Sequence, residues 1–289
     1  MTVAAFGEDL TNQVVASFAN AEDPRLRQIM QSLVRHLHAF ALDVGLTTEE
    51  WAAGIEFLTR TGQMCDGKRQ EFILLSDTLG LSMLVDAINH RSVAGATETT
   101  VLGPFYVAPV QQLPADGDIA GGAAGTPLYV SCRVVGRDGA PLVDAWVDVW
   151  QADDNGYYDV QKPGQQENLR ARFHTDGEGR FSFWTIVPTS YPIPTDGPVG
   201  KMLQAVGRHP YRPAHIHFMA GKEGYDTLVT HLFIAGDEYL DSDAVFGVKP
   251  QLVVNLTDSE GGWIGSGEHV GMHKRLNHTF GLRPKVVAS

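Results

Sequence analysis

The feature that most constrains the fold of this chain is a change in the period of its apolar residues near Gly103 and Pro104. Before that point apolar residues recur every three or four positions, which is typical of helices. After it they alternate with polar residues or form short runs between turns, which is typical of strands. Helices first and strands afterwards, without helical patterns between the strands, predict an α+β protein.

The first hundred residues predict a small bundle of helices. One face of a 3.6-residue period is formed by Ile29, Leu33, Leu37 and Phe40. Thr47 is followed three residues later by Glu50 before an apolar run, which is the pattern of a capping box. Further along, Ser76 or Asp77 is expected to cap another helix at its N-terminus.

The remainder of the chain predicts an antiparallel β-sandwich. The stretch "WVDVW" at residues 146–150 alternates in polarity, and "RFSFWTIV" at residues 180–187 is rich in aromatic and β-branched residues. Such short strands with frequent turn residues are typical of two packed antiparallel sheets. We therefore expect an N-terminal helical domain over residues 1–102 and a β-sandwich domain over residues 103–289.

Composition narrows the classes of partner. The formal net charge of −12 over 289 residues argues against binding to nucleic acid or to anionic membranes, because no basic patch offsets it. The start "MTVAAFGEDL" does not resemble a signal peptide, and no stretch approaches the roughly 20 apolar residues of a membrane span, so a cytoplasmic location is expected. Two cysteines, Cys65 and Cys132, argue against a disulfide framework or a thiolate metal site.

Two histidines in "RPAHIHFM" are the first candidate for chemistry. His215 and His217 are two residues apart in a predicted strand, so their rings project to the same side and could bind one metal ion. His36 and His38 have the same spacing in a helical pattern, where their rings face apart, and we expect them at the surface or its boundary. The pair on the strand needs convergent partners before a metal site is indicated.

The residues alone leave two possible sets of further metal ligands beside His215 and His217. His231, with acids around Asp237, would complete a zinc site and indicate a hydrolase. The tyrosines of "NGYYDV" and "PTSYPIPTDGP", at positions 157, 158 and 191, would instead indicate a strong cation such as iron(III), because a phenolate at neutral pH requires one. A third interpretation is a non-catalytic binding sandwich in which the tyrosines belong to the core.

Four stretches together resemble the intradiol ring-cleaving dioxygenases, the catechol 1,2-dioxygenases and their relatives with non-haem iron(III). They are "WQADDNGYY", "SYPIPTDGP", "GRHPYRPAHIHF" and "HLFIAGDEYLDSD". The resemblance covers essentially the whole chain. It implies one Fe(III) per subunit, held by Tyr158, Tyr191, His215 and His217, with Tyr157 as a neighbour that is not a ligand.

The resemblance also implies roles in the reaction with O2. Tyr191 and His217 would be axial ligands and Tyr158 and His215 equatorial, and Tyr191 would be the ligand that leaves when a catechol dianion binds. With two tyrosinates and one hydroxide the iron(III) centre would be neutral, and it would stay neutral when the catechol dianion replaces the hydroxide and the Tyr191 phenolate, which avoids burying a net charge. Arg212 would lie over the bound ring and stabilise developing negative charge.

The expected substrate is a small aromatic diol or triol. The residues that the resemblance implies as substrate-binding are Met83, Asp86, Leu102, Gly103, Pro104, Phe105, Ile193, Pro194, Arg212 and Val245. The chain looks most similar to the branch that cleaves hydroxyquinol (benzene-1,2,4-triol) between its 1,2-hydroxyls to give 3-hydroxy-cis,cis-muconate, equivalent to maleylacetate. Catechol and chlorocatechol 1,2-dioxygenases are the alternatives within the family.

The expected assembly is a homodimer through the N-terminal helices. Their apolar faces are too extensive for so few residues to bury alone, and the family resemblance implies the same contact. It also implies room for a phospholipid in an apolar groove at the domain junction. No nucleic acid partner and no membrane insertion are expected.

Overall fold

The computed structural model describes residues 2–67, 69–90, 93–108, 111–162, 168–264 and 268–285. The chain forms two compact units, Met1–Gln63 and Met64–Ser289. The expected division between residues 102 and 103 stays a prediction. Helices that precede strands confirm the α+β class.

The first unit consists of three helices with local caps. They are α1 (Val3–Ser17), α2 (Pro24–Asp43) and α3 (Thr48–Gln63). The capping box before α3 is confirmed, since Thr47 N donates to Glu50 Oε2 at 2.9 Å and Glu50 N donates to Thr47 Oγ1 at 3.2 Å. His36 Nδ1 contacts Ser32 O, whereas His38 Nδ1 contacts the hydroxyl of Thr11 on α1, so the two rings face different ways.

The apolar face predicted on α2 is exposed to a large extent. Its four residues are Ile29 (46% exposed), Leu33 (47%), Leu37 (54%) and Phe40 (56%). Helix α1 adds exposed Phe6 and Leu10, and α3 adds Trp51 and Ile55. So much exposed apolar surface on three neighbouring helices is typical of a surface that binds another molecule.

The helices of the second unit are α4 (Glu71–Thr78), α5 (Leu81–Asn89) and α6 (Pro198–Ala205). The predicted cap at Ser76 or Asp77 is wrong, because both residues lie inside α4. The chain breaks instead at Gly80, whose φ of 74° is in the left-handed region that glycine adopts without steric cost, and this glycine caps α5.

Fourteen strands are present in the described ranges of the second unit. In chain order they are β1 (Gly117–Asp118), β2 (Pro127–Gly136), β3 (Trp146–Trp150), β4 (Arg170–His174), β5 (Arg180–Ile186), β6 (Tyr191–Pro192), β7 (Tyr211–Arg212), β8 (His215–Gly221), β9 (Leu228–Ile234), β10 (Val253–Val254), β11 (Thr257–Glu260), β12 (Trp263–Ile264), β13 (Glu268–His269) and β14 (Met272–Leu282). Short 3₁₀ helices lie at Asp159–Gln161 and Pro250–Leu252.

The strands form two five-stranded sheets, in the orders β1–β5–β2–β14–β11 and β10–β9–β8–β3–β4, and two short ribbons, β6–β7 and β12–β13. Most neighbours are antiparallel, as expected for a sandwich. Both sheets are nevertheless mixed. In the first, β14 returns beside β2 in a parallel register from Lys274↔Leu128 to Leu282↔Gly136, and in the second β10 pairs with β9 in parallel.

The sandwich core is built from the inward residues of both sheets. Phe181 and Phe183 of β5 stack with Phe173 of β4, and Phe218 of β8 packs on Phe280 of β14 at a centroid distance of 4.8 Å. All five rings are at most 2% exposed. Cys132 is also buried in this core, and Cys65 and Cys132 form no disulfide. In the described ranges, no helix has the length and hydropathy needed to span a membrane.

Candidate metal centre

Strand β8 brings His215 and His217 to one side, as their spacing predicts. Their Nε2 atoms lie 3.2 Å apart, and both residues are at most 2% exposed. His215 Nδ1 lies 2.6 Å from the carbonyl oxygen of Pro213, which can only accept. The proton of neutral His215 is therefore on Nδ1, and the lone pair of Nε2 faces its neighbours.

The two predicted tyrosines complete a cluster of four polar atoms. Tyr158 Oη lies 2.8 Å from His217 Nε2 and 3.0 Å from Tyr191 Oη. Tyr191 Oη lies 3.4 Å from His215 Nε2. Both phenols are buried, whereas Tyr157 is 53% exposed and points elsewhere. Residues far apart in the chain thus direct two imidazole nitrogens and two phenol oxygens at one small volume.

Gly156 allows the two tyrosines to approach each other. Its φ of 82° is in the left-handed region, and a Cβ at this position would lie 2.5 Å from Cβ of Tyr191. No larger side chain fits there without moving that residue. The glycine two residues before Tyr158 therefore belongs to the construction of the site.

The electrostatics of the cluster favour a cation. Burial raises the pKa of Tyr158 well above its usual value of 10, and Tyr191 beside it adds to the rise. Burial also raises the pKa of Tyr191, against the opposing effect of Arg212. The pKa of His215 is lowered to about 3 by burial and by the charge of Arg212. The imidazoles are therefore neutral, and the phenols ionise only if a strong cation lies beside them.

This donor set fits a ferric ion. Neutral imidazoles are common ligands of iron, and phenolate oxygens suit a trivalent cation that can hold them deprotonated. His217 Nδ1 and the indole nitrogen of Trp150 have no hydrogen-bond partner among the described residues. Trp150 stacks on the His217 ring at a centroid distance of 4.6 Å and 17°, so packing orients this imidazole.

A third histidine lies beside the pair. His231 of β9 is opposite His217 in the register, and the ring centroids are 4.1 Å apart. Among the described residues, the three histidines form a buried group whose ligand atoms lie within 4.8 Å of one another. The partner expected for a zinc site is thus present, together with both tyrosines.

Arg212 also lies at the cluster, with a partner that the sequence analysis missed. It is 4% exposed, and its NH1 lies 3.3 Å from His215 Nε2. Asp243 accepts from Arg212 Nε at 3.1 Å and from NH2 at 3.3 Å. Despite burial, which alone would lower it, the pKa of Arg212 is raised by the charges of Asp243 and Tyr191. Asp237, the acid noted in the sequence, instead accepts from Ala214 N.

The predicted substrate-binding residues divide into two groups. Gly103 and Phe105 contact the cluster: the Phe105 ring stacks on Tyr158 at 4.8 Å, and a Cβ on Gly103 would lie 3.4 Å from His217 Cε1. Arg212 also contacts it, with NH1 3.3 Å from His215 Nε2. For the remaining predicted residues the structure gives their burial. Ile193 and Val245 are buried, Met83, Pro104 and Pro194 are half-buried, and Leu102 is 40% exposed.

Asp86 is buried and already has partners. Its Oδ1 lies 2.9 Å from His90 Nδ1, and its Oδ2 accepts from Thr99 Oγ1 at 2.9 Å and Lys249 Nζ at 3.1 Å. The cost of burying this carboxylate is therefore offset within the protein. Lys249 is 163 residues away in the chain, and nothing in the local sequence pointed to it.

Comparison with known proteins gives a consistent result. Residues 23–97 match the family of the catechol dioxygenase N terminus, and residues 101–282 match the dioxygenase family. The 6-chlorohydroxyquinol 1,2-dioxygenase of Cupriavidus pinatubonensis is 52% identical over 279 residues, 96% of this chain and 98% of the relative. The hydroxyquinol 1,2-dioxygenase of Nocardioides simplex is 52% identical over 246 residues, 85% of this chain and 84% of the relative.

A solved structure agrees with this. The crystal structure of hydroxyquinol 1,2-dioxygenase from Pseudomonas putida DLL-E4 superposes with a TM-score of 0.90 at 51% identity, over 98% of this chain and 100% of that one. Both family matches, the long alignments and the shared fold lead to one conclusion. The chain belongs to the intradiol ring-cleavage dioxygenases and is an enzyme.

Proposed function

We propose that this enzyme is an iron(III)-dependent hydroxyquinol 1,2-dioxygenase, which cleaves benzene-1,2,4-triol between its 1,2-hydroxyls with O2 to give 3-hydroxy-cis,cis-muconate. The observation that carries the proposal is the buried convergence of two imidazole nitrogens and two phenol oxygens, with neighbouring atoms between 2.8 and 3.4 Å apart. The names of the most similar relatives support hydroxyquinol or its chlorinated form as the substrate.

The proposed ligands are Tyr158, Tyr191, His215 and His217. Ferric iron bound there would make a coordinated catecholate reactive towards O2. Tyr191 is proposed to accept a substrate proton at Oη, because burial raises its pKa and favours the neutral phenol once the oxygen leaves a cation. The alternative zinc hydrolase would use His231 in place of the phenols.

Arg212 is proposed to orient the substrate ring and to stabilise the negative charge that develops on it. Its charge is permanent, since Asp243 holds the guanidinium with two hydrogen bonds. Such a group is fixed before substrate arrives, so little reorganisation is needed during the reaction. Phe105, Gly103 and the other predicted wall residues would enclose the ring.

Specificity for the triol is proposed to depend on Asp86. Among the described residues, Oδ1 of Asp86 receives a single hydrogen bond, from the exposed residue His90, whereas a carboxylate oxygen accepts two. The remaining capacity supports acceptance of a hydrogen bond from the third hydroxyl. Catechol lacks this hydroxyl, and a site built to bond one discriminates against analogues without it.

The finer expectations about assembly and location are proposals too. The exposed apolar faces of α1, α2 and α3 support a homodimer through these helices. The phospholipid groove that the family resemblance implies is part of the same proposal. The cytoplasmic location also stays a prediction.

One experiment tests the proposed function. The purified protein is analysed for metal and by visible spectroscopy, and oxygen uptake is measured with hydroxyquinol, catechol and chlorocatechols in parallel. We expect one iron per chain, a red-brown colour from tyrosinate–iron(III) charge transfer, and the highest kcat/KM for hydroxyquinol. A colourless protein that contains zinc would contradict the proposal and favour the three-histidine zinc site.

A further inference from the structure

A buried arginine that the proposed function does not use lies beside the turn that carries Tyr158. Arg170 begins β4 and is 1% exposed. A guanidinium in such a place is strongly unfavourable unless its N–H groups are paired. The residue before it, Leu169, is buried and has a φ of 55°, a left-handed conformation that is unfavourable for a residue with a side chain. The contacts of the folded chain around residues 169 and 170 must therefore outweigh the backbone strain at Leu169.

Arg170 joins two segments that are far from each other in the sequence. Its Nε and NH2 donate to the two carboxylate oxygens of Asp159 at 3.0 and 2.6 Å. Its NH2 and NH1 donate to the backbone oxygens of Phe105 and Val107, both at 3.0 Å. The planar fork of an arginine can serve these four acceptors at once, and a lysine cannot.

Both segments contain groups that orient Tyr158. Asp159 follows Tyr158 directly in the chain, and the Phe105 ring stacks on the Tyr158 ring at 4.8 Å and 24°. Resting on the proposed role of Tyr158 as a metal ligand, we propose that Arg170 is its positioning residue. Arg170 fixes the backbone on one side of the phenol and, through Phe105, the ring that covers it.

The same strand offers a matched control. Arg172 lies two residues further along β4 and also pairs with a buried carboxylate, that of Asp148, with NH2 to Oδ2 at 2.8 Å. Asp148 in turn accepts from Tyr106 Oη at 2.9 Å. Among the described residues, Arg172 has no side-chain hydrogen bond to Asp159 or to Phe105. Arg172→Lys therefore loses a two-point arginine–carboxylate pair on the same strand while the hydrogen bonds of Arg170 to Asp159 and Phe105 are kept.

The test compares Arg170→Lys with Arg172→Lys in two measurements. In the metal-free proteins, hydrogen exchange is followed in peptides that cover residues 102–108 and 156–162. In the proteins loaded with ferric iron, the tyrosinate charge-transfer band, kcat and KM are measured. We expect Arg170→Lys to exchange faster in both peptides, to shift the band, and to lower kcat roughly 10- to 100-fold, as removal of a partner that orients a ligand does. Arg172→Lys is expected to leave the band of Tyr158 in place.

The outcomes distinguish this inference from the proposed function. If the parent protein shows no charge-transfer band, the proposed function fails, while hydrogen exchange still decides whether Arg170 holds Tyr158. If the band and both peptides are unchanged in Arg170→Lys, the inference is overturned and the proposed function stands. Faster exchange through the whole sandwich would mean a purely structural role and would also overturn it. Should Arg170→Lys not fold, Asp159→Asn, which retains the arginine, is read by the same criteria.

Discussion

At the scale of single residues, the site depends on how closely side chains from distant segments approach. Tyr158 and Tyr191 meet because Gly156 lacks a side chain, and His217 is oriented because Trp150 stacks on it. None of these contacts is a strong interaction by itself. Together they determine where two nitrogen and two oxygen atoms point, and small displacements at such a site cost much of its activity.

Substitution of the proposed histidine ligands and of Tyr191 should have different effects. His215→Ala and His217→Ala should each lose iron, because a ligand aligned on a rigid strand cannot be replaced from a flexible loop. Tyr191→Phe should retain part of the iron and lose most turnover, because the proton acceptor is gone. Metal content and oxygen uptake measure both effects. His36→Ala, from the helical pair with the same spacing, is the control and should retain iron. Full activity in Tyr191→Phe would count against the proton-acceptor role.

Gly156 gives a prediction with a close control. Gly156→Ala and Gly139→Ala both place a side chain at a φ near 80°, so both incur a backbone cost of about 1–2 kcal/mol. Only Gly156→Ala adds a clash with Tyr191, because a Cβ on Gly139 would have nothing within 4 Å. We expect Gly156→Ala alone to lose iron and colour. Equal iron content in the two variants would show that close approach at Gly156 is unimportant.

Asp86 is the sharpest test of substrate preference. Asp86→Ala should lower kcat/KM for hydroxyquinol and leave that for catechol unchanged or improved, because only hydroxyquinol has the third hydroxyl. The ratio of the two specificity constants is compared with the parent ratio. Lys249→Met is the control for stability, since it removes the cation beside Asp86 and retains the carboxylate. If both substrates fall equally in Asp86→Ala, then Asp86 is structural and the assignment is wrong.

At the scale of elements, loops that carry site residues are held by caps from distant helices. Helix α6 follows the loop of Tyr191, and Gly197 at its N-cap position provides no side-chain cap. Glu71 of α4 replaces that cap: its Oε1 accepts from Val199 N at 3.2 Å, and its Oε2 accepts from Arg69. A carboxylate at a helix N-terminus is favoured by the unpaired N–H groups there.

This arrangement predicts a large effect for one buried acid. Glu71→Ala should lower the free energy of unfolding by about 1–3 kcal/mol, because Val199 N loses its acceptor and Arg69, which still pairs with Asp196, loses one of its two carboxylates. Urea unfolding of the metal-free protein measures it. Glu56→Ala removes an exposed acid paired with Arg60, and its cost should stay within about 0.5 kcal/mol. Similar costs for both variants would contradict the capping role.

At the scale of the whole molecule, the distribution of apolar surface is uneven. The five phenylalanines of the sandwich core are at most 2% exposed, whereas Phe6, Phe40 and Trp51 of the first unit are each more than half exposed. Removing this apolar surface from water by association with another molecule would be favourable by roughly 25 cal/mol per Å².

We therefore expect a homodimer in solution. Sedimentation at micromolar concentration should give twice the chain mass of 31.4 kDa. Leu33→Glu together with Leu37→Glu should shift the protein towards the monomer, because two charges would be buried without partners. The matched control changes Val143, which is exposed on the sandwich, to Glu and should leave the mass unchanged. A monomeric parent protein would refute the proposal.

Features with short-range causes were predictable from the sequence. The capping box at Thr47 and Glu50, the parallel projection of His215 and His217, and the change from helices to strands all depend on residues within a few positions of each other. The periods of helix and strand are properties of the backbone, and the surroundings need not be known to read them. The family resemblance brought Tyr158 and Tyr191 into the site before their contacts were visible.

Only the tertiary structure decided which residues and strands pair across long separations in the sequence. Local patterns do not reveal that Asp243 holds Arg212, that Lys249 reaches Asp86, that Arg170 joins Asp159 to Phe105, or that β14 returns parallel to β2. The cap wrongly expected at Ser76 or Asp77 has the same origin, since Leu74 and Leu75 are buried in α4 and the break falls at Gly80. A buried charge is stable beside any suitable counter-charge, and only the folded chain determines which one lies within reach.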